Sequence, residues 1–320
     1  MSRLFVNQLK ENDSVSEIYR VVDKSLRLNK KGAYYLQFTL GDRTGAVAAM
    51  LWNVTEEVSQ KFEEGDFVRC EGSVQLFQGK VQIIARKITK VDSSSVSVAD
   101  FADSAKQDVS LLTARLREIL GSVESEPLKT VVQAFLDDST FMARFTRSFA
   151  GVRLHHAYSG GLLEHTVSML ELALVVGKQY SEIVDRDLLL VGVFLHDIGK
   201  TIELSDDPVA PVYSDEGQAL GHLYLGAEIL SHKLASIEAT TGVAFDPNLV
   251  LKLKHMILSH HGSVEFGAVK VPMTREAIAI HFIDSIDAKL NEFQKFIMSD
   301  PNADKAWTNY NSSLDRKLLK

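Results

Sequence analysis

The sequence predicts a multidomain protein in which an N-terminal all-β barrel is followed by an all-α helical bundle. The chain has 320 residues, 45% of them hydrophobic, which is enough to form two separate cores. From about residue 15 to residue 91 the apolar residues alternate with a period of two, whereas beyond residue 98 they recur with the helical period of about 3.6 residues. The serine-rich stretch DSSSVSV, at 92–98, separates the two patterns and is typical of a linker.

About five short antiparallel strands are expected in the first segment. They include the stretches YYLQFTL, GAVAAMLW, DFVRCEGSV and KVQIIARKITKV, and the turns GDRTG and FQGK supply the Gly and Asp residues that favour hairpins. So many strands in so short a segment indicate a small closed barrel.

Amphipathic helices are expected throughout the second segment. Their predicted ranges are 110–120, 127–138, 140–149, 160–180, 186–198, 220–236, 247–261 and 274–298. The expected domains are therefore a barrel over 1–95, a linker with connecting helices over 96–150, and a main helical domain with a C-terminal tail over 151–320.

The composition excludes several classes of protein. The longest apolar run is far shorter than the roughly 20 residues that span a bilayer, and the first residues, MSRLFVNQLKENDSV, lack the apolar region of a secretory signal. The single cysteine, Cys70, excludes an internal disulfide and a thiolate cluster, so any metal must be held by His and carboxylate side chains. We therefore expect a cytoplasmic protein with no membrane partner.

The net charge of −7 is distributed unevenly along the chain. Residues 1–98 carry 14 basic and 12 acidic side chains, whereas the remainder carries 21 and 30. Because phosphate contacts depend on the local potential, a basic face on the barrel is compatible with nucleic-acid binding despite the acidic total. An ordinary solvated sheet edge would show the same excess of basic residues.

Histidines and acids occur along or at the ends of the apolar helices of the second segment. His196 and Asp197 end the apolar run LLLVGVFL, and His260 and His261 end a predicted helix. Buried ionisable groups are costly unless they are paired or bind a metal, and neutral imidazole and carboxylate are ligands for divalent ions. Since a helical bundle can direct several such side chains at one interior point, the pattern predicts a metal site.

The order of a lone His, a His-Asp pair and a late Asp resembles the HD superfamily of metal-dependent phosphohydrolases. This resemblance implies four defining metal ligands, matched here by His165, His196, Asp197 and Asp284. His222 and His260 match the further histidines of members that bind two ions, and Lys200 matches the lysine of the HDxxK motif. Asp287 is a weaker candidate ligand than Asp284.

Over nearly the whole chain, the motifs HHAYSGGLLEHT, HDIGK, SHHGSVEFG and DSIDAK, preceded by a barrel, resemble the YhaM-type 3′-to-5′ exoribonucleases. In this interpretation Arg153 and His156 contact a substrate phosphate, with a solvent-facing loop as the alternative. His261 contacts either the second metal ion or the scissile phosphate, or caps its helix.

The stretch YYLQFTLGDRTGAVAAMLW resembles the second and third strands of an OB-fold, which usually form its ligand face. Alternation assigns Leu36, Phe38 and Leu40 to the core and Tyr35 to the outer face, where it can stack on a base. Trp52 is expected either to stack on a base or to pack beneath the barrel. The basic residues expected to follow the nucleic-acid backbone include Lys31, Arg43 and Arg86.

The resemblance implies a metal-dependent 3′-to-5′ exoribonuclease that hydrolyses single-stranded RNA to nucleoside 5′-monophosphates. It implies two divalent ions, Mn²⁺ or a similar metal, bridged through Asp197, with Lys200 stabilising charge in the transition state. The alternatives are a nucleotide or cyclic-nucleotide phosphodiesterase with the same metal site, and a non-catalytic single-strand-binding protein. Single-stranded DNA as a second substrate, and a homo-oligomer, are also left open.

Overall fold

A computed structural model describes most of the chain. The described residues are 3–29, 32–77, 79–97, 100–101, 108–151, 158–205, 211–300, 305–311 and 314–320. They form two compact units, of which one contains all five strands and the other contains the helices from Val109 onward. Each unit has its own cluster of buried apolar side chains. The predicted order of an OB-like barrel followed by a helical domain is confirmed.

The barrel is closed, with strand order β1-β2-β3-β5-β4. Its strands are β1 (Ser14–Leu28), β2 (Tyr34–Asp42), β3 (Gly45–Trp52), β4 (Phe67–Phe77) and β5 (Lys80–Val91), with a short helix α1 (Glu56–Ser59) before β4. Neighbouring strands are antiparallel except β3 and β5, which run parallel. Closure leaves no long unpaired strand edge in the described barrel.

Side-chain alternation builds the barrel core as the sequence predicts. Leu36, Phe38 and Leu40 are buried, whereas Tyr35, which precedes them, is partly exposed. A bulge interrupts the β4–β5 ladder at Gly72, where a Cβ atom would lie 2.3 Å from the carbonyl oxygen of Ile84. Only glycine therefore permits this close approach of the two strands.

The second unit consists of helices packed around one core. They are α2 (Val109–Gly121), α3 (Glu126–Leu136), α4 (Ser139–Phe145), α5 (Gly161–Gln179), α6 (Arg186–Leu195), α7 (Lys200–Glu203), α8 (Asp215–Thr241), α9 (Pro247–Ser259) and α10 (Arg275–Ser299). Buried residues of α2, α3 and α4 belong to the same apolar cluster as those of α5 and α6. The described residues contain no helix with the length and apolar content needed to cross a bilayer.

Two features of the helices differ from the sequence prediction and position the site. Helix α6 ends at Leu195 instead of continuing to residue 198, so His196 and Asp197 lie just past its end. Helix α8 is longer than predicted, and its helical geometry is interrupted at Gly221, which has φ 72° and ψ 156°. This backbone conformation is open to glycine and strained for other residues, and it directly precedes His222.

Candidate active site

Histidine and aspartate side chains from five elements meet inside the helical unit. His165, on α5, is fully buried, and its Nε2 lies 3.4 Å from Oδ1 of Asp284 on α10. Nε2 of His165 is also 3.9 Å from Oδ2 of Asp197, which follows α6. The lone His, the His-Asp pair and the late Asp of the sequence pattern therefore converge in space.

His196 and His260 are held in the same way, because each follows the last residue of an apolar helix. Nδ1 of His196 donates to the carbonyl oxygen of Val193 at 2.6 Å, and Nδ1 of His260 donates to that of Ile257 at 2.8 Å. A carbonyl oxygen can only accept, so each ring carries its proton on Nδ1 when neutral. The Nε2 lone pair of each ring is then directed toward the centre of the site.

His222 and His261 face each other across the other side of the site. Their Nε2 atoms are 3.2 Å apart, while Nδ1 of His222 donates to Glu203 and Nδ1 of His261 donates to the carbonyl oxygen of Phe266, both at 3.0 Å. Burial and the neighbouring His222 lower the pKa of His261, which disfavours a proton between the rings. Two facing lone pairs repel unless they share a cation, so this geometry suits a metal ion.

The Asp197 carboxylate lies between these groups of histidines. Its Oδ1 is 3.5 Å from Nε2 of both His222 and His260, and its Oδ2 is 3.3 Å from Nε2 of His196. Three overlapping sets of residues have ligand atoms within 4.8 Å of one another: His165 with His196 and Asp284, His196 with Asp197 and His260, and His222 with His260 and His261. One carboxylate oxygen is thus directed toward each side of the site.

The electrostatics of the site differ between its buried histidines: at His196 the Asp197 carboxylate outweighs burial and raises the pKa, whereas at His260 burial dominates and lowers it. Burial lowers the pKa of His260 to about 4, which keeps its imidazole neutral near pH 7. Burial alone would raise the pKa of Asp197, but the Lys200 ammonium and His196 hold it well below its usual range. Nε2 of His196 and Oδ1 of Asp197 are buried and make no hydrogen bond within the described residues. An anionic carboxylate beside the neutral imidazole of His260, with Nε2 of His196 directed inward, fits a divalent ion.

Lys200 lies where the HDxxK spacing predicts, one helical turn from Asp197. Its Nζ is 2.6 Å from Oδ2 of Asp197 and donates to the carbonyl oxygen of Ala150 at 2.5 Å. The side chain is 12% exposed, so its ammonium is close to the site without being sealed from it. The ammonium therefore lies directly against the carboxylate around which the histidines gather.

Two acidic residues take roles that differ from the sequence interpretation. Asp287 accepts a hydrogen bond from Nδ1 of His165 at 2.8 Å, on the side of the ring opposite the metal cluster. Glu203 accepts hydrogen bonds from Nδ1 and from the backbone N–H of His222, and the sequence analysis missed it. The signal for Glu203 is weak, since only its position at the end of the short helix α7 brings it close.

An aromatic pair lies on the outside of the barrel beside an arginine. Tyr35 is opposite both Arg27 and Trp52 in the strand register, and the Tyr35 and Trp52 ring centroids are 5.0 Å apart. Arg86 is exposed and directly follows Ala85, the last residue of β5 that pairs with β3. Trp52 is 46% exposed, so it does not pack beneath the barrel.

The remaining predicted binding residues lie elsewhere. Arg43 is exposed in the β2–β3 turn, at the opposite end of the hairpin from Tyr35, and its guanidinium lies over the Phe5 ring with its central carbon 4.5 Å from the ring centroid. Lys31, Arg153 and His156 lie outside the described residues.

Two solved structures share similarity with the barrel segment. The second OB-fold domain of replication protein A from Methanococcus maripaludis is 22% identical, covers 30% of this chain and 100% of its own, and has a TM-score of 0.24. The single-stranded DNA binding protein from Thermus aquaticus is 13% identical, covers 25% of this chain and 40% of its own, and has a TM-score of 0.23.

Family models and a curated relative match larger parts of the chain. The model of the HD domain matches residues 162–289, and that of the OB-fold nucleic acid binding domain matches 20–91. The 3′-5′ exoribonuclease YhaM from Geobacillus sp. (strain WCH70) is 33% identical over 282 residues, which are 88% of this chain and 83% of that protein. Fold and site together define an HD-domain hydrolase of phosphodiester bonds that carries an OB-fold domain. The chain belongs to the YhaM family of 3′-5′ exoribonucleases.

Proposed function

We propose that this chain shortens single-stranded RNA from its 3′ end and releases nucleoside 5′-monophosphates. The observation that carries the proposal is the Asp197 carboxylate, which directs one oxygen toward His196 and the other toward His222 and His260. A carboxylate in this position would be shared by two divalent ions, which together would supply the chemistry of two-metal phosphodiester hydrolysis.

The clusters of inward-directed ligand atoms support a proposal of two ion sites. The ligands proposed for the first ion are His165, His196, Asp197 and Asp284. The ligands proposed for the second ion are Asp197, His222, His260 and His261. Mn²⁺ or a similar ion is proposed, because imidazole and carboxylate ligands together suit such metals. His261 is then a ligand in addition to the six assigned from the sequence.

The chain's own residues prepare the scissile phosphate for attack. A bound divalent ion lowers the pKa of a coordinated water and polarises a phosphoryl oxygen. Lys200 Nζ, 2.6 Å from Asp197, stabilises negative charge that develops on the phosphate as the bond between phosphorus and the 3′ oxygen breaks. The water oxygen remains on the released 5′-phosphate, and the 3′ oxygen of the shortened strand takes up a proton.

The barrel is proposed to hold the strand. Tyr35 and Trp52 offer ring faces to bases, and each stacked base contributes about 1–3 kcal/mol in comparable proteins. Arg27, opposite Tyr35, and Arg86, at the end of the β5 pairing with β3, can contact phosphates of the strand. This surface favours an extended strand over a mononucleotide, which needs no such platform.

One set of hydrolysis assays separates the candidate functions. Metal-depleted protein supplied with Mn²⁺ is offered labelled single-stranded RNA, single-stranded DNA of the same sequence, and a cyclic mononucleotide. We expect fast stepwise shortening of RNA and slow turnover of the cyclic mononucleotide. Preferential hydrolysis of the mononucleotide would support the small-molecule phosphodiesterase, and binding without hydrolysis would support the single-strand-binding protein.

A further inference from the structure

Two buried carboxylates stand behind the histidines, one on each side of the site. Asp287 accepts from Nδ1 of His165 at 2.8 Å and from Oγ of Ser168 at 2.5 Å. Glu203 accepts from Nδ1 of His222 at 3.0 Å and from its backbone N–H at 2.9 Å. The other three histidines of the site donate from Nδ1 to backbone carbonyl oxygens instead.

We propose that Asp287 and Glu203 are positioning residues that set the affinities of the two ion sites separately, Asp287 through His165 and Glu203 through His222. The inference rests on the proposed function for the identity of the two sites. Neither carboxylate is assigned as a ligand, since each bonds the Nδ1 side of its ring.

The chemical basis is the tautomer and basicity of each imidazole. A neutral ring without an acceptor at Nδ1 can carry its proton on Nε2, where it would point at the metal and block coordination. A carboxylate acceptor holds the proton on Nδ1 and increases the basicity of Nε2. Loss of such a partner typically lowers metal affinity by about 10–100-fold.

Helix α10 contacts both nitrogens of the same ring. Asp284 lies 3.4 Å from Nε2 of His165, and Asp287, three residues later, holds Nδ1 at 2.8 Å. Because residues three apart share a helix face, α10 fixes the His165 ring from both sides. Ser168, one turn after His165 on α5, in turn fixes the second oxygen of Asp287.

Glu203 fixes both the ring and the backbone of His222. Gly221 breaks the helical geometry of α8, so the N–H of His222 is available to a side chain. Glu203 Oε1 accepts this N–H together with Nδ1 of the same residue. One carboxylate oxygen therefore fixes both the backbone position of His222 and the rotation of its imidazole ring.

Mn²⁺ titration of the metal-free full chain, followed by the electron paramagnetic resonance signal of the free ion, tests the proposal. The wild type is expected to bind two ions. D287N should lower the affinity for the ion at the His165 side by about 10–100-fold and leave the affinity for the other ion unchanged. E203Q should lower the affinity for the ion at the His222 side by a similar factor. The double variant should weaken both, and raising Mn²⁺ by the same factor should restore hydrolysis in each single variant.

The matched control is E276Q. Glu276 is another buried carboxylate of α10, but it accepts from the backbone N–H of Asp185 and contacts none of the site histidines. E276Q should lower thermal stability without changing either Mn²⁺ affinity. Weakening by E276Q as large as that by D287N would show a general effect of helix stability and would overturn the proposal.

A second measurement separates failure of this inference from failure of the proposed function. Imidazole ¹⁵N shifts of the metal-free protein report the tautomer without any metal. We expect the Nδ1-protonated form for His165 and His222, and mixed forms for His165 in D287N and for His222 in E203Q. Unchanged tautomers, or two ions bound as tightly in both variants as in the wild type, would overturn the positioning roles. If the wild type binds no Mn²⁺ but the two variants still show these tautomer changes, only the assignment of the ion sites would be overturned.

Discussion

Asp197 has more ionisable neighbours than any other residue of the described site: four histidines and one lysine lie within 4 Å of its carboxylate oxygens. It faces histidines through both oxygens and pairs with the Lys200 ammonium at 2.6 Å. Asp197 and Lys200 are both largely buried and neutralise each other, so removal of either one leaves an uncompensated buried charge. Its chemical and structural roles must therefore be separated by experiment.

We expect Asp197→Asn to abolish RNA hydrolysis while strand binding by the barrel survives. The amide keeps the shape of the side chain but removes the charge that holds the metal ions. Because Lys200 loses its anionic partner, the free energy of unfolding should also fall, by up to about 3–5 kcal/mol for a fully buried pair. Hydrolysis rate, fluorescence anisotropy with labelled RNA, and urea denaturation measure the three effects.

The control for the lost charge pair is the double variant Asp197→Asn with Lys200→Met, which should recover part of the stability and no activity. An Asp197→Asn protein that keeps most of its turnover at full Mn²⁺ would contradict the bridging role.

Cys70 reports on the barrel independently of the site. The residue is fully buried, and burial raises the pKa of its thiol from an ordinary 9.0 to about 12. We expect iodoacetamide to leave Cys70 unmodified in the native protein at pH 8 and to alkylate it in urea. Since the folded state disfavours the thiolate, the contribution of Cys70 to stability is complete below pH 9 and is lost as the pH rises toward 12. Rapid alkylation of the native protein would show that the barrel opens.

The sequence was enough to identify most of the converging residues. The resemblance to the HD superfamily implies His165, His196, Asp197, His222, His260 and Asp284 as ligands, and the structure brings them together. The hydrogen-bond acceptors of the Nδ1 atoms could not be assigned from the sequence, because it does not show which ring nitrogen faces the site. Asp287 therefore looked like a weak ligand, and Glu203 was not identified.

At the level of elements, the break in α8 decides where His222 is placed. Periodicity predicts a helix only over 220–236, so neither the preceding helical segment from Asp215 nor the break at Gly221 is expected from the sequence. The strand register of the barrel could not be predicted from the sequence either, since alternation assigns residues to a face of the sheet but does not identify their cross-strand neighbours. The aromatic row formed by Arg27, Tyr35 and Trp52 emerges only from the pairing of β1, β2 and β3.

We expect Gly221→Ala to weaken metal binding at the His222 side of the site. A Cβ at this position would meet nothing within 4 Å, so the cost comes from the backbone conformation, about 1–3 kcal/mol. Relief of that strain would rotate His222 away from Glu203. Mn²⁺ titration should show a lower affinity for one of the two ions.

Gly242→Ala is the matched control within the same helix. Gly242 also has a positive φ, 74°, and open space around its Cβ position, but it caps the far end of α8. Its substitution should lower stability and leave both ions unaffected. Equal loss of Mn²⁺ affinity in the two variants would contradict a specific role for the break at Gly221.

At the scale of the whole molecule, the two units have separate cores, and the proposed function gives them separate tasks. The candidate metal ligands all lie within the HD match at 162–289, and the aromatic row lies within the OB match at 20–91. A truncated chain that begins at residue 104 should therefore keep its metal ions and hydrolyse a small phosphodiester such as bis-p-nitrophenyl phosphate, while its rate on long RNA falls sharply.

Salt dependence measures the contribution of the barrel to strand binding. Affinity of the full chain for single-stranded RNA should fall with rising salt, with a log-log slope of about −0.7 per neutralised phosphate. Arg27→Ala with Arg86→Ala should reduce that slope by up to about 1.4, whereas Lys80→Ala, in the β4–β5 hairpin away from the aromatic row, should change it less. A slope unchanged by the two arginine substitutions would place the strand on another surface.

The most direct measurement follows a 5′-labelled single-stranded RNA incubated with protein stripped of metal, before and after Mn²⁺ is returned. Without metal we expect the RNA to stay intact, because the buried histidines and Asp197 hold no ion to activate water. With Mn²⁺ we expect a ladder of products shortened one nucleotide at a time from the 3′ end, and no ladder with Asp197→Asn. Shortening at the full rate in chelator, or early appearance of the labelled 5′ mononucleotide, would contradict metal-dependent hydrolysis in the 3′-to-5′ direction.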